Sequence, residues 1–487
     1  MKESGKFNYL LNLFHKYSIL PLPLKSSLWF MGCNFMQRGI MMITTPVFTR
    51  ILSKEEYGVV SIFSSWQVAL EIVMPLCLNA CALNLYVRYE DKEKVLSSLC
   101  SIEIVLTIFW LLNYLLFAEG ISNTLNMSIV LGLCMILTVM ANQIIYLWTG
   151  YKRYIYDYKW VTIVTVLLTG GSSFFGVVCV LFWSSTAEGR IVPLAIITSV
   201  ISIILYCTII KKNAAFYDKE IWMFAFSYGI PLIPHYISQF ILQSSDKLMI
   251  NYMCGPQDVA MYSIAYSVGS LINILITAIN ASFIPYQYQQ IKNGNYKQLS
   301  LRANQIMLIV AVFLIGIMMF SHEIILIFGG EQYLDSQYIV VPICLGVFFN
   351  YLFQIFARVQ EYYLHKFTLI IASTTCAFLN FVLNYIFIQI YGYQAAAYTT
   401  FVCYFLFCFL HYLCYKRVVR TNLNGNKIYD MKGIVLVSVF IILSGIMIYF
   451  FNHLIWIKYS VITVAIINFV IFREKLVVFI KVLQSKK

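Results

Sequence analysis

One arginine of this chain stands inside an apolar run. Arg38 lies in a stretch that also carries Asn34, Gln37 and Thr45. A guanidinium keeps its proton in any protein environment. Buried away from water it therefore requires an anion, and its planar fork matches the oxygens of a carboxylate or a phosphate. Glu71 and Glu103, each in another apolar run, are the candidate protein partners, and an anionic ligand is the alternative. Those two acids and His235 are also the groups best suited to couple a proton or an ion. Uncharged polar residues recur at helical steps around them. Ser64, Gln67, Glu71 and Asn79 form one set, and Tyr266, Ser270, Asn273, Thr277 and Asn280 a second. His235, Gln239, Gln243 and Asp246 form a third, and Asn350, Gln354, Arg358 and Glu361 a fourth. Steps of three and four place each set on one face of a helix. Such faces either line a hydrated cavity or join helices by hydrogen bonds. The candidate ligand contacts are Asn34, Gln37, Arg38, Tyr266, Asn273 and Arg358. Arg358 and Glu361 sit near the end of their run, where snorkelling also explains them. Asp246 and Lys247 read as the outer boundary of a helix rather than as a binding pair.

No catalytic constellation accompanies these residues. A phosphate loop, HExxH, GxSxG and a loop DxD are all missing, as is a nucleotide-binding domain. The thirteen cysteines fall almost entirely in apolar runs without metal spacing, so neither a metal nor a cofactor is expected.

The elements that must hold these side chains are membrane helices. Mean hydropathy is +0.78 and only 11% of residues are charged. About fourteen apolar runs of roughly 17–25 residues are each long enough to cross a bilayer. They cover approximately 27–49, 58–80, 96–118, 127–148, 161–183, 191–210, 222–245, 259–283, 303–328, 337–357, 368–390, 394–415, 433–451 and 455–472. Backbone groups in lipid must bond within their own segment, so these runs are helices. Alternate gaps and both tails hold 28 of the 34 Lys and Arg. The positive-inside rule then places both termini in the cytoplasm. The net charge of +13 belongs to loops facing anionic headgroups rather than to a nucleic-acid surface. The first 26 residues lack a signal peptide's single apolar core and suit an interfacial helix.

An internal repeat organises the spans. Ser53-Lys54-Glu55-Glu56-Tyr57-Gly58-Val59-Val60-Ser61-Ile62 aligns with Gly255-Pro256-Gln257-Asp258-Val259-Ala260-Met261-Tyr262-Ser263-Ile264. Six spans separate the copies, which predicts a parallel repeat of two six-helix lobes. The expected organisation is an N-terminal segment 1–26, an N-lobe 27–220, a C-lobe 221–415, helices 13 and 14 within 416–472, and a tail 473–487.

Three stretches carry a resemblance. Thr44 to Gly58, Thr-Thr-Pro-Val-Phe-Thr-Arg-Ile-Leu-Ser-Lys-Glu-Glu-Tyr-Gly, resembles the first-loop signature of bacterial polysaccharide (Wzx-type, O-antigen) flippases. Pro-Leu-Ile-Pro-His at 231–235 with Ser-Ser-Asp-Lys-Leu-Met-Ile at 244–250, and Tyr-Ser-Ile-Ala-Tyr at 262–266, are similar to the same pattern. The resemblance implies the multidrug/oligosaccharidyl-lipid/polysaccharide exporter superfamily. It implies a non-enzymatic flippase that carries a polyprenyl-diphosphate-linked oligosaccharide across the bacterial cytoplasmic membrane, beside glycosyltransferases and a polymerase of the same pathway. The family's cationic cavity transfers to Arg38 and more weakly to Arg358. Related antiporters place a carboxylate in the first helix, and Arg38 in its stead points to an anionic cargo. The rivals are a multidrug or cation antiporter of similar fold and a membrane polysaccharide polymerase or ligase. The latter needs a long outer loop, and here the outer gaps are short.

Overall fold

A computed structural model describes residues 21–451 apart from 126, 213–214, 364–365 and 424. The expected fourteenth span, the tail and the first 20 residues lie outside the described residues. Helix is the only regular structure among the described residues. The chain runs α1 Leu22–Ile51, α2 Lys54–Val73, α3 Asn79–Arg88, α4 Lys92–Leu125, α5 Ile129–Tyr154 and α6 Tyr158–Val166. It continues α7 Ser172–Phe182, α8 Ala187–Lys212, α9 Lys219–Gly229, α10 Ile233–Cys254, α11 Pro256–Gly269 and α12 Asn273–Lys292. It ends α13 Tyr296–Met319, α14 Ser321–Phe328, α15 Gln337–Tyr362, α16 Lys366–Tyr391, α17 Gln394–Asn422 and α18 Met431–Phe451.

Among the described residues ten helices are long and apolar enough to cross a membrane. Each of the first thirteen expected spans coincides with a helix or with a pair of helices in line. The first, second and seventh spans fall short of the ten for local reasons. Asn34, Gln37 and Arg38 lower the hydropathy of α1. The second span breaks between α2 and α3, where Leu76 and Cys77 take φ of 54° and 56°. Left-handed backbone is unusual for residues with a Cβ and marks a segment held by its surroundings. The seventh is diluted by His235, Gln239 and Gln243, and it breaks at a 3₁₀ turn, Ile230–Leu232, where Pro231 lacks the N–H that an α-helix would use.

These two breaks are where a rod passes from one core to another. One apolar core draws on Leu78, Leu85, Leu99 and Trp148, and α9 adds Ile221 and Ala225 to it. The largest core lies between residues 242 and 441, and α10 supplies Leu242, Met249 and Ile250 to it. Ile62 of α2 also belongs to that second core, whereas Leu78 and Cys81, at and just past the break, belong to the first. The breaks also touch, because Gly229 meets the Leu76 carbonyl so closely that a Cβ there has no room.

Candidate functional site

The orientation of Arg38 follows from how α1 packs. Trp29 stacks on Tyr158 at 5.7 Å and 14°, the Cys33 thiol donates to Thr162 Oγ1 at 3.4 Å, and the Arg190 guanidinium sits 3.7 Å above the Phe48 ring. Helical periodicity turns Arg38 to nearly the opposite side of α1 from Trp29. There Asn34 and Arg38 line a cavity of about 270 Å³ shared with Ile274, Thr277 and Ala278 of α12. Both side chains are exposed, and Gln37 beside them is half-buried. Neither expected carboxylate reaches Arg38. Glu71 Oε1 accepts instead from Gln67 Nε2 at 3.0 Å and Asn142 Nδ2 at 2.8 Å. Glu103 is fully buried, and neither of its oxygens has a hydrogen-bond partner among the described residues. Among the described residues Arg38 makes no ion pair. Its cation therefore faces a cavity with its hydrogen-bonding capacity unspent.

The remaining candidates disperse. Arg358 Nη1 is 2.7 Å from Glu361 Oε2, which also accepts from Tyr288. This is a local ion pair one turn apart on α15, and Arg358 is not among the residues that line the cavity at Arg38. His235 packs its ring edge-on to Tyr236, 5.4 Å away. The stripe on span 8 is not one continuous face. A 3₁₀ turn, Ser270–Ile272, separates α11 from α12. Three residues at 3.0 rather than 3.6 per turn rotate the following helix by about 60° more than an α-helix would. Thr277 thus shares a cavity with Arg38, while Tyr266 stacks on Tyr262 in the second core. Asn273 opens α12, where its carbonyl accepts from Thr277.

Asp246 was expected to close a helix at the surface, but α10 continues to Cys254 and Asp246 is buried. Its Oδ1 accepts from Asn384 Nδ2 at 2.6 Å. Its Oδ2 accepts from the Tyr262 hydroxyl at 2.6 Å and from Thr400 Oγ1 at 2.8 Å. Thr399 bonds Asn384 in turn, and Asn380 donates to Thr400 Oγ1 at 3.1 Å. Lys247 lies instead with its Nζ 5.7 Å from the Tyr266 ring centroid, and no cation pairs with Asp246 among the described residues. Carboxylate, amide and hydroxyl oxygens are the hard donors a small cation prefers. No group of three His, Cys, Asp or Glu converges on a metal position among the described residues. Sequence reasoning missed the cluster because its members come from four helices, α10, α11, α16 and α17. The signal was present in the Asn380–Asn384 pair, one turn apart inside an apolar helix.

The end of the bundle that holds few of the lysines and arginines is closed around the repeat. Thr49 Oγ1 donates to the Phe328 carbonyl at 2.5 Å, and Gln332 Nε2 to the Thr49 carbonyl at 2.9 Å. Arg50 Nη2 reaches the Leu326 carbonyl at 3.3 Å, and Tyr57 meets Tyr333 edge-on at 6.2 Å. Ser53 Oγ caps α2 by accepting from Glu56 N–H at 3.2 Å, as its spacing predicts. The two copies of the repeat meet where Gly58 abuts the Pro256 carbonyl, with no space for a Cβ. Gly58→Val is expected to overpack this contact by about 1–3 kcal/mol and loosen the seal. Labelling of a cysteine placed at Thr49 by an impermeant maleimide should rise several-fold over the same cysteine in the Gly58 background. Unchanged labelling would mean that the contact does not hold this end shut.

Comparison with known proteins narrows what this arrangement belongs to. The family model described as "Polysaccharide biosynthesis protein" matches residues 24–290, more than half of the chain. The chain belongs to the polysaccharide biosynthesis protein family. A second model, MatE, matches residues 231–386. The fold of this family member is shared with an inward-facing multidrug resistance MATE family transporter of the MOP superfamily. That likeness has a TM-score of 0.62 and 12% identity, and covers 80% of this chain and 96% of that one. It is shared equally with the lipid II flippase MurJ in an inward closed conformation, with a TM-score of 0.61 and 16% identity over 92% and 100% of the two chains. An uncharacterized membrane protein of Haemophilus influenzae is 23% identical over 172 residues, 34% of this chain and 42% of that protein. The match thus spans less than half the length of that relative. This family member is a multi-span helical membrane protein with the fold of transporters and flippases.

Proposed function

We propose that this protein is a flippase that moves a polyprenyl-diphosphate-linked oligosaccharide across the bacterial cytoplasmic membrane for surface polysaccharide synthesis. One observation carries the reading: an arginine, deep in an apolar helix and without a partner anion among the described residues, faces a cavity between α1 and α12. A central arginine costs roughly 2.5–3.5 kcal/mol on insertion scales, so a chain retains one there for a purpose. The diphosphate of the cargo supplies the missing anion. Asn34, Gln37 and Thr277 offer hydrogen bonds to sugar hydroxyls, while the polyprenyl tail stays in lipid. Moving a bare diphosphate through hydrocarbon costs tens of kcal/mol in the Born limit, and the polar cavity substitutes protein dipoles for water. The lobes then rock about the closed end and the two helix breaks, exposing the cavity to each side in turn. Termini in the cytoplasm, and glycosyltransferases and a polymerase as working neighbours, belong to the same reading.

The test is complementation. This chain is expected to restore surface polysaccharide in a flippase-null strain carrying the matching glycan pathway. Failure across several such pathways, with the protein inserted in the membrane, would count against the cargo class. The second reading, a drug or cation antiporter, draws on the MatE match to the second half. Cation-driven dye efflux by the purified protein in vesicles would favour it. Glu71 is the proton-coupling candidate in either case, and two amides hold its carboxyl at the polar face of α2. Glu71→Gln is expected to flatten the pH profile of transport, and an unaltered profile would remove Glu71 from coupling.

A further inference from the structure

A second cavity, of about 560 Å³, opens on the basic end of the bundle, the end that the charge distribution assigns to the cytoplasm. It lies between the first turns of α13 and the segment that leads into α18. Lys297, Lys427 and Lys432 line it, with Tyr296 and Ser300. None of the three side-chain ammonium groups has an ion-pair or hydrogen-bond partner among the described residues. The single acid lining the cavity, Asp430, is engaged locally. Its Oδ1 accepts from the Lys432 N–H at 3.0 Å, and its own N–H donates to Ser300 Oγ at 2.6 Å. Three lysines thus line one concave space against a single acid. Like charges repel, and exposed lysines ordinarily point apart into water. Here the fold brings Lys297 to Lys427 and Lys432 from distant parts of the chain. Toward the membrane the same two helices expose Leu301, Leu308, Val435 and Leu436.

We propose that this cavity docks the phosphodiester headgroup of an anionic phospholipid, with its acyl chains lying along those apolar residues. Lysine binds phosphate as a point charge and does not demand a planar partner. Basic pockets beside membrane helices on the cytoplasmic side attract anionic headgroups in this way. The apolar surface directly below the lysines selects a lipid over a soluble anion or an acidic protein. The site shares no residue with the cavity at Arg38, so it stands or falls independently of the flippase reading.

The experiment uses the full chain in nanodiscs made from equal phosphatidylglycerol and phosphatidylcholine, followed by native mass spectrometry of the lipid retained on release. The wild type should retain phosphatidylglycerol over phosphatidylcholine. The K297Q/K427Q/K432Q variant should lose that preference by roughly tenfold or more, and K297R/K427R/K432R should keep it. The three lysines are exposed, so the glutamine variant is expected to fold. Equal retention by wild type and glutamine variant overturns the proposal, as does loss of retention in the arginine variant. Displacement of phosphatidylglycerol from the wild type by millimolar inorganic phosphate would show a free-phosphate site and also overturn it.

Discussion

Arg38→Ala is expected to abolish transport while leaving insertion and the amount of protein in the membrane unchanged. The asymmetry follows from what the guanidinium touches. Among the described residues it supports no ion pair, so its removal strands no buried carboxylate. Insertion is not impaired, since loss of the central cation removes a cost of roughly 2.5–3.5 kcal/mol. The cavity meanwhile loses its fixed positive charge, and a diphosphate entering it would meet only the neutral dipoles of Asn34 and Thr277. Arg38→Lys is expected to retain a fraction of activity, because an ammonium supplies charge without the bidentate fork. Surface polysaccharide in a complemented flippase-null strain, read beside membrane levels of each variant, checks both. Full complementation by Arg38→Ala would remove the arginine from cargo recognition. A loss of protein from the membrane would assign Arg38 a structural role instead.

The second large effect concerns Asp246. Asp246→Ala is expected to destabilise the second core by about 3–5 kcal/mol, because it strands three buried donors at once. Tyr262, Thr400 and Asn384 all give hydrogen bonds to its carboxylate, and none of them has solvent to turn to. Asp246→Asn keeps the volume but replaces an acceptor by a donor that faces other donors. It is expected to be the milder variant in thermal unfolding and comparably impaired in transport. Unfolding of the purified variants in detergent, followed by a buried-cysteine label, reads the first effect. A melting temperature for Asp246→Ala equal to that of the wild type would mean that the cluster relaxes freely and does not organise α10, α16 and α17.

The two residues differ in how visible they are in a linear sequence. Arg38 is conspicuous because one charge interrupts an apolar run, and nothing but the run is needed to see it. Asp246 sits beside Lys247 at the edge of an apolar run, where a local acid–base boundary explains both equally well. Only packing shows that α10 continues past them and that Asn384, Thr399 and Thr400 arrive from other spans. Glu103 has the converse history. Its charge marks it as a coupling candidate, yet the fold encloses it among Leu99, Cys100 and Ile102 in the first core, away from Arg38.

What the sequence by itself determined was the helical spans among the described residues and the uneven distribution of lysine and arginine among the gaps between them. These follow from interactions along one segment: hydropathy over a helix length, a serine three residues before the N–H it caps, and lysines that gather in alternate gaps. The closure of one end, the split of the span 8 stripe and the gathering of Asn384 and Thr400 on Asp246 were decided by tertiary structure. Each depends on rotation about a helix axis or on an offset between helices. A three-residue 3₁₀ turn or a pair of left-handed residues changes those by tens of degrees, and hydropathy along a helix does not register it.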